Sequence, residues 1–182
     1  NEMSPEEKRK LIHNIEEDAQ WLLNMVENLL SVTRIQDDKG ITSVTKTDES
    51  LEEVISEAVR RFHKRFPGVT VQVHIPESFI MVPMDPILIE QVLSNLIENA
   101  VNHGVTTTAI HLSVQKDGDF AAFSVRDNGQ GIAPDRLEHL FDGTLQGQQG
   151  DRGRSMGIGL SVCRTVVRAH GGHIRGENRQ EG

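Results

Sequence analysis

The chain has 182 residues, of which 36% are hydrophobic and 25% charged, a balance typical of a folded soluble protein. No apolar run reaches the roughly 18 residues of a membrane span. The net charge of −8 argues against general nucleic-acid binding, which depends on concentrated Lys and Arg. The single cysteine, Cys163, excludes an internal disulfide, and we expect a buried thiol. Because residue 1 is Asn rather than Met, we expect a fragment of a longer protein.

The first 36 residues predict one long helix. Apolar or small residues recur there at alternating spacings of three and four, and most positions between them are polar or charged. We call this stripe the heptad seam; its members are Ile12, Ile15, Ala19, Leu22, Val26, Leu29 and Thr33. A helix with such a stripe needs a partner. The seam could lie on its own domain, but its length and regularity favour a coiled coil or four-helix bundle.

After a break at residues 37–40, short strands and helices alternate. We predict strands at residues 41–46, 69–75, 80–84, 109–116 and 119–127, with the start of a further strand at 173–176. We predict helices at residues 51–66, 86–103 and 157–170, with a short one near 135–141. This order predicts an α+β fold, a two-layer sandwich of a mixed sheet and helices. The boundary falls at about residue 38, so that residues 39–182 form the main domain, with its last strand truncated.

Local signals mark several of these boundaries. Ser50 and Glu53 predict a capping box at the start of one helix. Asp85 followed by Pro86 predicts an N-cap and a first helical residue. The last two strands predict a hairpin around residues 117–118. We expect His170 to serve the end of the last helix, where an imidazolium is favourable.

Two asparagines on the predicted helix at 86–103 are candidates for metal binding. Asn95 and Asn99 are four residues apart, so their amides share one helical face. An amide oxygen is a neutral hard ligand that Mg²⁺ accepts alongside water and phosphate. Two asparagines on a helix are common, so this pair is a weak signal by itself.

Two glycine-containing segments are candidates for binding a nucleotide. At the end of a predicted strand, Asp127 precedes Gly129 and Gly131, so a carboxylate there could accept a hydrogen bond from an exocyclic amine; a simple hairpin turn would look the same. Further on, Gly157 and Gly159 open a helix, whose free N–H groups make an anion site. Neither a Walker loop nor a Rossmann turn is present.

The three segments in this order resemble the N, G1 and G2 boxes of the histidine-kinase ATP domain, the Bergerat or GHKL fold, over roughly residues 41–182. Residues 138–141 resemble the start of the F box, and the first helix resembles the second helix of the dimerisation and phosphoacceptor hairpin. Residues 20–35 resemble the KdpD-type potassium and osmotic sensor kinases. The resemblance implies a two-component protein-histidine kinase that binds ATP and Mg²⁺.

The resemblance also implies partners and a location. The parent protein would form a homodimer through its bundle helices and pass the phosphoryl group to a response regulator receiver domain. This part would be a cytoplasmic domain of a membrane-anchored bacterial protein, without nucleic-acid or membrane contacts of its own.

The resemblance assigns roles to individual residues. Asn99 would coordinate Mg²⁺, with Asn95 as a second candidate ligand, and both would be catalytic. Asp127 would accept a hydrogen bond from the adenine amine, beside a wall formed by Gly129, Gly131 and Ile132. Residues 142–156 would be the ATP lid. The phosphates would be wrapped by the start of the last helix, that is by Gly157, Ile158, Gly159 and Leu160.

Several positions depart from the family pattern. Asn102 replaces the usual lysine, and His103 replaces the usual aromatic residue. We still predict that Asn102 and His103 contact ATP. The second F-box phenylalanine falls near Thr144, and Ser155 replaces the first G2 glycine. Because a missing lysine removes one positive charge, Arg152 and Arg154 are predicted to compensate from the lid.

The same fold also serves other functions. Related ATPases such as gyrase, Hsp90 and MutL carry a glutamate at the position of Asn95, and anti-sigma serine kinases tend to do so too. An amide cannot accept a proton near neutral pH, so Asn95 and the heptad seam together favour a histidine kinase. A nucleotide-binding but catalytically degenerate module remains an alternative.

The phosphoacceptor motif of this family resembles His-Glu/Asp-Leu-Arg-Thr-Pro, and no such motif occurs in the sequence. His13 lies on the first helix but is surrounded by Leu-Ile-His-Asn-Ile, so we expect an ordinary surface residue. The histidines and the cysteine show no zinc-ligand spacing. The chain is therefore predicted to lack its own phosphoacceptor.

Overall fold

The structure, a computed structural model, describes residues 3–35, 44–76, 81–143 and 158–179. The helices are α1 Pro5–Ile35, α2 Leu51–Arg65, α3 Pro86–Gly104, α4 Pro134–Leu137 and α5 Ile158–Ala169. The strands are β1 Thr47–Ser50, β2 Thr70–His74, β3 Met81–Met84, β4 Ala109–Asp117 and β5 Phe120–Asp127. Across these described ranges, no helix combines the length and the apolar character that crossing a membrane requires.

The strands form two sheets. In the larger, β4 lies in the middle, parallel to β2 and antiparallel to β5, which makes it a mixed sheet. In the smaller, β1 pairs antiparallel with β3. The predicted hairpin is confirmed: Asp117 pairs with Phe120, and Gly118 takes a positive φ of 59° in the two-residue turn between them. The predicted α+β class with a mixed sheet is confirmed.

Helix α3 lies between two apolar clusters because it carries apolar residues on nearly all sides. Toward the sheet and α2, Leu93 and Ile97 pack with Ile55, Phe62 and Leu112. On its other side α3 packs against α5 and the end of α1. That second cluster contains Leu88, Val92, Val162, Cys163, Val166 and Ile35. Cys163 is fully buried, as predicted, and desolvation raises the pKa of its thiol to about 12.

The predicted helix starts are present. The Ser50 hydroxyl accepts a hydrogen bond from the backbone N–H of Glu53 at 3.4 Å. The Asp85 carboxylate accepts from the backbone N–H groups of Ile87 and Leu88, both at 3.1 Å, and Pro86 is the first helical residue. These contacts satisfy N–H groups that have no partner within the helix, and so they fix where α3 begins.

Three predicted boundaries are wrong. The first strand pairs with β3 from Thr47 to Ser50 and leaves out residues 44–46; residues 41–43 of the predicted strand lie outside the described part. The helix near 135–141 is shorter, because after Leu137 each turn closes on a carbonyl only three residues back. Residues 172–179 contain no strand, and the segment is tied down by side chains instead.

His170 serves the end of the last helix, as predicted, but as a neutral imidazole and not as an imidazolium. Its Nδ1 lies 2.8 Å from the carbonyl oxygen of Val166, which can only accept, so Nδ1 carries the proton. Its Nε2 accepts from the backbone N–H of Asp85 at 3.0 Å, so that nitrogen carries none. Desolvation lowers the pKa of His170, and the nearby Lys46 ammonium lowers it further. The residue is a neutral link between the start of α3 and the end of α5.

Helix α1 has two different faces. The heptad seam is exposed, with Ile12 at 64% and Leu29 at 61% of full exposure. Another face, carrying Asn28, Ser31 and Ile35, is buried against the domain. The seam therefore does not lie on the described part of its own domain, which agrees with the predicted need for a partner.

Candidate functional site

Asn95 sits where three helices meet. Its amide nitrogen Nδ2 donates to Asn28 Oδ1 of α1 at 2.8 Å and to the carbonyl oxygen of Gly159 in α5 at 3.4 Å. Its Oδ1 accepts from Gln91 Nε2 at 3.3 Å. Because the Gly159 carbonyl can only accept, these contacts define which way the Asn95 amide points. Asn95 thus joins α3 to both α1 and α5.

Asn99, one turn further along α3, is engaged differently. Its side chain is half-buried, yet it makes no hydrogen bond with any residue in the described part of the chain. An amide oxygen that is held on a packed helix and has no protein partner fits the donor chemistry that Mg²⁺ prefers. Of the two predicted ligands, Asn99 is the one whose oxygen accepts no hydrogen bond from the described residues, whereas the Asn95 oxygen already accepts one.

Asp127 ends β5 and begins the turn that carries the predicted adenine contact. Its Oδ1 accepts from the backbone N–H of Gly129 at 2.8 Å, which holds the carboxylate in one orientation. Its Oδ2 makes no hydrogen bond with a described residue, and the side chain is half-buried. A fixed carboxylate with one unused oxygen is suited to accept from an exocyclic amine.

The same turn is attached to the end of α3. A Cβ added to Gly129 would lie 2.7 Å from the Cα of Gly104, closer than any side chain permits, so only glycine fits. The carbonyl oxygen of Gly104 accepts from the backbone N–H of Gln130 at 3.3 Å. Asp127 is therefore positioned relative to the helix that carries Asn99.

Two of the departures from the family pattern, Asn102 and His103, lie in the last turn of α3. Asn102 is exposed and makes no hydrogen bond with a described residue. The pKa of His103 is lowered by desolvation and, to a smaller degree, by the positive charge of Arg136 in α4. Because Gly104 follows them and bonds to the Asp127 turn, Asn102 and His103 lie at the end of α3 that meets this turn.

The far end of the turn is bound by a residue that the sequence analysis missed. Gly131 has a φ of 77°, which favours glycine, and it precedes Ile132. The backbone N–H of Ile132 donates to Asn178 Oδ1 at 2.9 Å, and Asn178 Nδ2 donates back to the Ile132 carbonyl at 2.6 Å. The predicted wall residues thus lie between α3 and the C-terminal segment.

The start of α5 lies beside Asn95. A Cβ on Gly159 would lie 3.6 Å from the Asn95 amide, an ordinary contact, while Leu160 is buried and Ile158 half-buried. The structure therefore brings the N and G2 segments together near the middle of α3. The remaining predicted phosphate contacts, Arg152, Arg154 and Gly157, lie outside the described residues, as do Thr144, Ser155 and nearly all of the predicted lid.

A polar clamp joins α1, α2 and α3 next to Asn95. Arg65 Nη1 donates to Glu98 Oε2 at 2.7 Å and to Asn24 Oδ1 at 3.3 Å, and Asn24 Nδ2 donates to the same Glu98 oxygen at 3.3 Å. Desolvation raises the pKa of Glu98, and the contact with Arg65 offsets only part of this rise. The clamp contains a carboxylate that depends on its arginine partner.

Some further residues that the sequence analysis missed have a recognisable signal in the sequence, and others have none. Asn128 Oδ1 accepts from the backbone N–H groups of Thr108 and Ala109 at 3.0 and 3.2 Å, and its place beside Asp127 could have suggested a turn-capping role. On α1, a second stripe at the spacing of the seam, Asn24, Asn28, Ser31 and Ile35, could have indicated a docked face. Asn178 has no comparable local signal.

The chain matches a known protein family over more than half of its length. Residues 84–182 match the family HATPase_c, described as "Histidine kinase-, DNA gyrase B-, and HSP90-like ATPase". This span includes α3, the Asp127 turn and α5, which are the elements that gather the site residues.

Curated relatives are sensor kinases. The chain is 42% identical over 97% of its length to the sensor protein KdpD of Clostridium acetobutylicum, and 34% identical over 87% to the sensor protein KdpD of Escherichia coli. It spans about a fifth of the length of these relatives, 20% and 17% respectively.

Solved structures of histidine kinases share the fold. The catalytic domain of histidine kinase ThkA aligns with a TM-score of 0.64 and 26% identity, over 74% of this chain and 88% of that one. A complex of ThkA with the response regulator protein TrrA aligns with a TM-score of 0.72 and 23% identity, over the whole of this chain and 50% of that one. The resemblance inferred from the three boxes is thus confirmed, and the chain belongs to the histidine kinase-, gyrase B- and Hsp90-like ATPase family, among the sensor histidine kinases.

Proposed function

We propose that this chain binds Mg-ATP around α3 and transfers the terminal phosphoryl group to a histidine on a dimerisation helix that the chain does not contain. One observation carries the proposal: Asp127 and Asn99 each keep an oxygen free of hydrogen bonds within the described residues, while Gly104 joins the turn of one to the helix of the other. Of these two fixed acceptors, Asp127 suits the adenine end of a nucleotide and Asn99 suits the metal at its phosphate end.

The adenine would lie at the Asp127 end. Asp127 Oδ2 would accept from the exocyclic amine, and the backbone around Gly129, Gly131 and Ile132 would form one wall of the pocket. A hydrogen bond between a fixed carboxylate and an amine belongs to the stronger, charge-assisted kind. This contact would favour adenine over purines that lack the amine.

The phosphates would lie toward Asn99 and the start of α5. Mg²⁺ would take the Asn99 oxygen together with phosphate oxygens and water, and the ion would supply the positive charge that offsets the phosphates. Asn95 could join through the second lone pair of its Oδ1, which already accepts from Gln91. Backbone N–H groups near Gly157 and Gly159, the side chains of Asn102 and His103, and the charges of Arg152 and Arg154 would complete this end.

The residues of α3 suit phosphoryl transfer better than hydrolysis. Neither Asn95 nor Asn99 can take a proton from water near neutral pH, because an amide is not a base there. In a kinase, the acceptor imidazole is itself the nucleophile, so the chain has to position the phosphates and stabilise their charge. No base on α3 is needed for that reaction.

The partners follow from the same proposal. The exposed heptad seam of α1 would pack in a homodimeric helical bundle, and the phosphoryl group would pass on to a response regulator receiver domain. The structure of ThkA with response regulator TrrA supports such a partner, and the two KdpD relatives support a KdpD-type parent. We place this part of the parent in the cytoplasm, where ATP is found, with the parent anchored in the membrane.

The test is transfer of labelled γ-phosphate from ATP to a supplied hairpin that carries the acceptor histidine. We expect Mg²⁺-dependent labelling of the hairpin, and we expect Asn99→Ala to lower its rate at least about tenfold, because a metal ligand is lost. The matched control is Asn14→Ala, which removes an exposed asparagine of α1. It should leave the rate unchanged.

The same assay separates the alternatives. Binding of ATP without labelling of the hairpin would indicate a degenerate module. Release of free phosphate in the absence of any hairpin, at a rate that the hairpin does not change, would indicate an ATPase. Either result would overturn the proposed kinase function.

A further inference from the structure

Asn178 substitutes for a strand in the C-terminal segment. Residues 172–179 form no strand, yet the Asn178 side chain makes the two reciprocal bonds with Ile132 that a neighbouring strand would make, at 2.9 and 2.6 Å. The segment itself is held close to α4: a Cβ on Gly176 would lie 2.6 Å from Leu140 Cδ2. The backbone that carries Asn178 is thus packed in place, with the Asn178 side chain next to Ile132.

These bonds hold one end of the Asp127 turn. The turn is fixed at its start by β5 and in its middle by Gly104, which accepts from the backbone N–H of Gln130. The Ala133 carbonyl accepts from Arg136 and Leu137 at the start of α4. Between Gln130 and Ala133, the hydrogen bonds of the turn backbone to the described part of the chain are those of Ile132 with Asn178. Loss of Asn178 would therefore free Gly131 and Ile132, which lie between these two fixed points.

Backbone motion at Gly131 and Ile132 would reach Asp127 through Gly129. The orientation of the Asp127 carboxylate depends on its bond from the backbone N–H of Gly129, and Gly129 is continuous with the segment that Asn178 holds. A carboxylate that samples several orientations binds an amine more weakly, because binding must then restrict it.

We propose that Asn178 is a positioning residue for adenine recognition, acting on Asp127 through the Gly129–Ile132 backbone. The inference rests on the proposed function, in which Asp127 accepts from the adenine amine. Asn178 itself touches neither the nucleotide nor the reacting phosphate in this account.

The first test compares nucleotide affinities. Asn178→Ala should weaken binding of a non-hydrolysable ATP analogue about three- to tenfold, the range expected for one or two partly exposed hydrogen bonds. In the transfer assay the KM for ATP should rise while kcat stays unchanged. Asn178→Asp keeps the acceptor for the Ile132 N–H and loses the donor, so its effect should be intermediate. Glu177→Ala, at an exposed neighbour, is the matched control.

The second test asks whether Asn178 acts through Asp127. In an Asp127→Ala background, Asn178→Ala should have no further effect on affinity, because the group that it positions is gone. An analogue whose purine lacks the 6-amino group should likewise bind the unaltered chain and Asn178→Ala equally well. Additive effects in the double variant, or equal weakening with both purines, would overturn the inference and leave Asn178 a purely structural residue.

Amide hydrogen exchange provides an independent readout without nucleotide. Exchange at Ile132 and Gly129 should accelerate in Asn178→Ala and stay unchanged in Glu177→Ala. If the unaltered chain binds the analogue and Asn178→Ala binds it equally well, the inference alone fails. If the unaltered chain does not bind, the proposed function fails and the inference fails with it, and the exchange data then report only on the turn.

Discussion

Helix α3 packs against two unlike surfaces. Toward the sheet and α2 its contacts are apolar, and Leu93 and Ile97 are almost fully buried there. Toward the middle of α1 its contacts are polar, with Gln91 and Asn95 bonded to Asn28. Surfaces that meet through polar groups can separate without exposing apolar area, as in transient interfaces between domains. The first surface holds the fold together by apolar burial. The second depends on hydrogen bonds along the middle of α1, with Ile35 adding an apolar contact at its end.

The largest expected effect tests the apolar side. Ile97→Ala should lower the free energy of unfolding by about 2–5 kcal/mol, since a fully buried side chain would leave a cavity. The matched change in the heptad seam, Ile12→Ala, should alter it by less than about 0.5 kcal/mol. Urea denaturation followed by circular dichroism measures both. Equal losses would mean that the seam is buried in solution.

The polar side should respond most to loss of the clamp arginine. Arg65→Ala should destabilise the α1 contact by about 1–3 kcal/mol at pH 7, because Glu98 would remain buried without its partner. Adding Glu98→Gln should restore part of this loss. Arg60→Ala, which removes an exposed pair with Glu57, should have no measurable effect in the same urea titrations. No recovery in the double variant would contradict the clamp.

A smaller change should undock α1 without unfolding the domain. Asn28→Ala removes the acceptor shared by Gln91 and Asn95, a loss of about 1–2 kcal/mol for that contact. Spin labels on Glu17→Cys and Glu52→Cys should then report a broader distance distribution. The native Cys163 is buried with a thiol pKa of about 12, so it should not be labelled. An unchanged distribution would show that α1 is held in some other way.

The smallest expected effect is a pH dependence where His170 joins the start of α3 to the end of α5. The pKa of His170 in the folded protein lies below its ordinary value of about 6.5, so the unfolded chain binds more protons in between. The stabilisation by neutral His170 is therefore present above pH 6.5 and is lost as the pH falls toward the folded pKa. Stability of the chain and of His170→Gln, measured from pH 8 to 5, should differ in slope below pH 6.5. Parallel curves would contradict the neutral link.

The sequence predicted what local chemistry determines. Asp85 and Pro86 marked the start of α3 because the cap and the first helical residue are adjacent in the chain. Glycines at 118, 129 and 131 marked turns that require positive φ or close approach. The order of the three boxes predicted the site because each box is a short local structure, and all three meet at α3.

Other features depend on residues far apart in the chain. The local pattern predicts the first strand too early in the chain, because its limits are decided by pairing with β3, about thirty residues later. Asn178 could not be found because its partner is 46 residues away and nothing in its surroundings distinguishes it from a surface asparagine. The position of His170 at a helix end favours a charged ring, whereas the backbone N–H of Asp85, 85 residues away in the chain, decides its protonation.

The central claim is that Asp127 reads adenine at the end of α3, and calorimetric titration with a non-hydrolysable ATP analogue tests it most directly. The unaltered chain should bind in the presence of Mg²⁺. Asp127→Ala should weaken that binding roughly ten- to hundredfold, as expected for loss of a buried charge-assisted hydrogen bond. Asp119→Ala, at the far end of the same hairpin, should bind normally. Equal affinity of the unaltered chain and Asp127→Ala would contradict the account.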